Sequence, residues 1–239
     1  MRLKNFLVAL CAAPILAVAA PNEQDTGAAL RALDWHKGPA TEQVVGKATL
    51  KTADAGTLFL DESNSTQFLK ITGNIPEPGV NIVFSKSGDW WAGFSFNPIG
   101  YVKDDEKIDA DDLLKKLKNA DDAANEERKR LGIAPIFTEG WYTPPHYDPQ
   151  TKRLEWGLKL NAEGQTVLNY TIRLLGRTGV MSATLVSSPE TLDKDVISFR
   201  KALEGFEYNS GEGYSEFKQG DHVAEFGLAA LVVGGIGFI

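Results

Sequence analysis

Cysteine is almost missing from this 239-residue chain, and histidine and methionine are scarce, with one, three and two copies respectively. The single Cys11 lies in an N-terminal apolar run of the kind removed on export, so the rest of the chain has no thiol. That excludes a disulfide framework and cysteine nucleophile chemistry, and the fold must rest on its own core. His36, His146 and His222 are scattered without the spacing of zinc ligands. Gly-x-Ser-x-Gly, His-Glu-x-x-His and phosphate-loop patterns are absent. No cofactor or metal is implied. Positive charge is also short. Lys and Arg number 25 against 32 Asp and Glu, a formal charge of −7 that becomes −9 if Arg2 and Lys4 leave with a leader. So acidic a domain suits neither nucleic acid nor an anionic lipid surface. The hydrophobic fraction of 43% and charged fraction of 24% are ordinary for a globular domain.

The two ends set the expected location. Residues 1–19 read as a secretory signal. Arg2 and Lys4 give a basic start, Phe6 to Ala19 an apolar core, and Ala17-Val18-Ala19 a small-x-small cleavage pattern. At the other end, residues 224–239 form an apolar segment. From Gly227 to Ile239 there are thirteen residues without charge, four of them glycine. Small residues are favoured in membrane helices, where backbones pack closely. As a helix the run spans only about 20 Å, short of the roughly 30 Å hydrocarbon core. It reads as a truncated transmembrane anchor. The competing reading folds it back onto the domain.

Between the ends, residues 20–43 read as a polar, irregular segment and residues 44–223 as an exported α+β domain, divisible into 44–132 and 133–223. Val44–Leu50 and Thr57–Leu60 read as strands around the turn Asp54-Ala55-Gly56. Asp61 caps a helix over about 62–72 that Gly73 ends. Val80, Ile82 and Phe84, then Trp90, Ala92, Phe94 and Phe96, alternate as a hairpin about Ser87-Gly88-Asp89. Asp109 caps a long helix with Leu113, Leu114, Leu117, Ala120 and Ala124 on one stripe, closed by Gly132. Leu154–Leu160, Leu168–Leu174 and Met181–Leu185 alternate as a three-stranded antiparallel meander with one buried face. Ser188-Pro189 then opens a helix whose Leu192, Val196, Phe199 and Leu203 suit that face. The expected architecture is antiparallel sheets, hairpins and a meander, covered by helices.

The run Gly100-Tyr101-Val102-Lys103-Asp104-Asp105-Glu106-Lys107-Ile108-Asp109-Ala110-Asp111, followed by Leu113-Leu114, resembles the central motif of domain of unknown function 2167. This is an uncharacterised bacterial family described as membrane-anchored. Trp35 with Gly38-Pro39, Gly140-Trp141 with Pro145 and Tyr147-Asp148, Asn169-Tyr170 with Leu175-Gly176-Arg177, and Ala224-Glu225-Phe226-Gly227-Leu228 match it too. The resemblance implies an exported domain with a C-terminal anchor. It carries over no catalytic residue.

Two dense stretches remain. Six of the nine residues from Asp104 to Asp112 are acidic. An EF-hand calcium loop is excluded because the central Gly and distal bidentate Glu are missing, and Lys103 and Lys107 would repel a cation. Helix capping accounts for half of the charges. Lys103, Asp104, Asp105 and Glu106 are the candidates for a partner-docking surface. In Gly140–Asp148, Trp141, His146 and Tyr147 on a loop would make a platform for a glycan, unless the aromatics pack onto the meander. The reading that follows is a non-enzymatic interaction or accessory module. Its domain would be periplasmic, anchored in the bacterial inner membrane, with a membrane-protein or cell-wall partner. The alternative is an envelope glycan hydrolase or glycan-binding domain, using carboxylates and the Trp141–Tyr147 loop.

Overall fold

The computed structural model describes residues 23–52, 56–85 and 90–234, with side chains from residue 26 onward. The expected signal peptide, most of the two expected turns at 54–56 and 87–89, and the last five residues of the apolar tail lie outside them. The chain opens with α1 (Glu23–Arg31), β1 (His36–Lys37), β2 (Ala40–Val44), β3 (Ala48–Thr52) and β4 (Leu58–Leu60). Next come α2 (Glu62–Ile71), β5 (Val80–Phe84), β6 (Trp91–Asn97) and the long α3 (Ala110–Arg130). Then follow β7 (Ile136–Asp148), β8 (Arg153–Ala162), β9 (Gln165–Leu175) and β10 (Val180–Ser187). The last elements are α4 (Leu192–Ala202), β11 (Phe206–Tyr208) and the short α5 (Leu228–Val233).

The expected α+β architecture is present. Eight strands form one sheet in the order β1-β4-β5-β6-β10-β9-β8-β7, and β11, β3 and β2 form a second. All named pairings are antiparallel. The meander is β8-β9-β10, and β6 pairs with β10, so the large sheet takes strands from both sides of residue 132. One sheet face carries Val83, Phe94, Tyr170, Ile172, Met181 and Leu185. It is covered by the small sheet and by Leu192, Val196, Phe199 and Leu203. Each such buried side chain contributes about 1.5–3 kcal/mol of transfer free energy. Phe199 meets Trp90 edge-on at 5.6 Å.

The other face carries two separate apolar clusters. One gathers Val80, Ile82, Phe84 and Val186 beneath Phe68 and Leu69 of α2. The second gathers Val102, Leu113, Leu154, Trp156, Leu175 and Val180 with Leu228, Leu231 and Val232 of α5.

Several expectations need correction. The described part of the segment expected to be irregular, residues 23–43, is not so: it contains α1, β1 and most of β2. Leu33 is buried beside Leu30 and Trp35, whose Nε1 donates to Leu30 O at 2.8 Å. Val44–Leu50 is not one strand, because Val45 and Gly46 both take positive φ (51° and 65°) and reverse the chain. Asn81 Oδ1 accepts Val45 N at 2.8 Å and fixes that reversal. β3 and β4 lie in different sheets, so no hairpin joins them. The expected loop around Trp141 is the edge strand β7, whose register shifts three times. Both faces of β9 and β10 are buried, rather than one. The N-caps of α2 and α3 are as expected, Asp61 accepting from Asn64 N and Asp109 from Asp111 and Asp112 N. On α3, however, Ala120 and Ala124 are exposed. The docked side is Leu113, Leu117, Asp121, Asn125 and Arg128, and the last three bond to the segment Ala134–Thr138.

Candidate functional site

Gly100, at φ 90°, lets the chain turn after β6 against the C-terminal segment; a Cβ there would stand 2.6 Å from His222 O. Tyr101 then runs beside Val223: its N donates to His222 O at 2.8 Å and its O accepts from Ala224 N at 2.9 Å. Its ring stacks on Tyr214 at 4.4 Å and lies 4.3 Å from Phe217. Val102 is buried, and the acidic run begins two residues on, at Asp104.

Asp104 turns inward. It accepts from Tyr147 Oη at 2.6 Å and from Lys152 Nζ at 2.7 Å. Burial would raise its pKa, but hydrogen bonds from Lys152 and Tyr147 outweigh that and hold the carboxyl below its usual range. Burial and the adjacent Asp104 carboxylate push the Tyr147 phenol up. Lys152 Nζ also lies 5.0 Å from the centre of the Tyr214 ring, and Tyr214 Oη donates to Val102 O at 2.9 Å. Glu106 reaches α5, where its Oε2 accepts from Ala229 N at 2.9 Å. Gly227 permits that approach, since a Cβ there would fall 2.3 Å from the same oxygen. Trp141 is half-buried, and its Nε1 donates to Ala110 O at 3.0 Å.

The two dense stretches therefore meet, through Asp104–Tyr147 and Ala110–Trp141. Their polar atoms join segments to one another. Lys103, Asp105 and His146 are exposed and lie outside these bonds. Among the described residues no three His, Cys, Asp or Glu side chains gather in a way that could hold a metal ion.

A second locus was hidden in the sequence by strand alternation, which treats Asn169, Thr171 and Arg173 as mere polar partners of the core positions. In the fold Ser95, Ser182 and Arg173 stand side by side across β6, β10 and β9. Thr184 and Thr171 are the next rung, their hydroxyls 3.1 Å apart. This polar strip separates the two apolar clusters on its face. It floors a cavity of about 240 Å³ that is also lined by Glu77 and Gly234. Arg173 is only 6% exposed. Its Nε has no acceptor among the described residues, its Nη2 lies 3.5 Å from Gly234 O, and its Cζ is 5.8 Å from the Trp156 ring. Burial lowers the guanidinium to about 10 and raises the Glu77 carboxyl. A readable signal existed: an arginine near the end of a strand, on the same face as Asn169 and Thr171.

A family model described as protein of unknown function (DUF2167) matches residues 36–239. No curated protein matches the chain. Among solved structures, the solution structure of cyanobacterial PsbP (CyanoP) from Synechocystis sp. PCC 6803 is similar at a TM-score of 0.38 and 12% identity, over 84% of this chain and 99% of that one.

Proposed function

Because the chain belongs to the protein family of unknown function DUF2167, its family supplies no activity, and we propose that it is a non-enzymatic interaction or accessory module of the bacterial envelope. In this proposal the domain is exported and held at the inner membrane through its C-terminal segment, next to a membrane-protein or cell-wall partner. The observation that carries it is the use made of the acidic motif. Tyr101 and Glu106 bind the C-terminal segment at Ala224 and Ala229, while Asp104 is held by Tyr147 and Lys152. These groups tie the C-terminal segment, as far as α5, to the rest of the domain. Leu228, Leu231 and Val232 are buried in the domain. The described part of the expected anchor, Leu228–Val233, therefore packs on the domain, as the competing reading has it, and no helix of the described residues is long and apolar enough to cross a membrane.

The test is fractionation of the native protein from its bacterium, with an alkaline carbonate wash and protease added to spheroplasts. Retention in washed membranes with cleavage from outside is the expected result. Release as a periplasmic protein removes the membrane attachment, and protection from protease removes export.

A further inference from the structure

The cavity over the polar strip holds two halves of an ion pair that do not meet. Arg173 is a buried cation whose Nε donor has no acceptor among the described residues. Its Nη2 contact to the Gly234 carbonyl, at 3.5 Å, is at the limit of a hydrogen bond. The Trp156 face satisfies the charge in part but accepts no N–H in line. Glu77 lines the same cavity and has no cationic partner among the described residues. Buried charges are ordinarily paired; Arg173 is not, and the half-buried Glu77 lines the same cavity. Ser95 and Ser182 add hydroxyls that can donate or accept beside Arg173.

We infer that this cavity binds a small zwitterion, a free α-amino acid, with its carboxylate on Arg173 and its ammonium toward Glu77. A planar guanidinium fork suits a carboxylate, which it can hold through two parallel hydrogen bonds. A doubly charged phosphate would also suit Arg173, but it would face the Glu77 carboxylate, which disfavours it. At about 240 Å³ the cavity is smaller than typical pockets for drug-sized ligands, which restricts it to a compact molecule. This inference stands apart from how the chain is held at the envelope.

The experiment is calorimetric titration of the full chain with five probes at neutral pH: L-alanine, D-alanine, acetate, methylammonium and inorganic phosphate. Alanine of one hand or the other should bind most tightly. R173K and R173Q should each weaken it about tenfold or more, the loss expected for one charge-assisted pair. E77Q should leave acetate binding in place and abolish the preference for alanine over acetate. Circular dichroism checks that each variant folds; if R173Q does not, R173K and the five wild-type titrations still decide. The inference is overturned if no probe gives a saturable signal with folded wild type, if phosphate binds more tightly than alanine, or if R173K binds alanine as wild type does.

Discussion

Arg177 and Asp221 show how single residues hold the irregular C-terminal stretch. The guanidinium donates through Nε and Nη2 to the two carboxylate oxygens, both at 2.7 Å, and Lys218 N adds a third bond at 2.7 Å. The Arg177 bonds, first, hold the Asp221 carboxyl at about 2. Its folded pKa lies below the unfolded value of about 3.9. The stabilisation is therefore complete above that value and is lost as pH falls through about 2. D221N should melt below wild type at pH 7, and the gap should close between pH 4 and pH 2 in a series of thermal melts. A gap that persists unchanged at pH 2 would mean the ionised carboxylate is not its source. Nothing in the local sequence advertises this pair, since the partners lie 44 positions apart and each looks like an ordinary surface charge.

Among the elements, α5 depends most on help from elsewhere. Its six residues are too few to stand alone in water. It is held by Leu228, Leu231 and Val232 and by the Glu106 carboxylate on Ala229 N. Removing one such hydrogen bond costs about 1 kcal/mol, or roughly fivefold in local opening. E106A, which takes the acceptor away, should speed amide exchange across Leu228–Val233 by about that factor, while leaving β9 and β10 unchanged. Equal acceleration everywhere would point to global destabilisation instead. The caps of α2 and α3, the stripe of α4 and the β8–β10 alternation were legible in the sequence because they follow local periodicity and capping chemistry. β7 was not, because Pro144 and Pro145 argue against a strand. It tolerates them as an edge strand with broken register. The docked side of α3 was hidden for another reason. Asp121, Asn125 and Arg128 look solvated, yet they bond Thr138, Ile136 and Ala134.

Across the whole molecule, the β6–β10 seam ties the two halves of the sequence into one sheet. No hydrophobic period specifies that pairing, so the sequence yields the strands without their order. The same blindness conceals the Ser95–Ser182–Arg173 strip, which exists only once three strands are in register. Fragments 44–132 and 133–223, expressed separately, should each fail to fold, because β10 and β6 would each be left with an unpaired edge and half of the core around Phe94 and Ile172. Dispersed amide NMR spectra from either fragment alone would contradict this.

Gly234 ends α5 and also forms part of the cavity wall. A pull on the chain beyond it is resisted by three buried side chains and one carboxylate, in series with that wall. Tension on the tail and the shape of the cavity thus share one mechanical coordinate, and a load that draws Gly234 outward separates its carbonyl from Arg173.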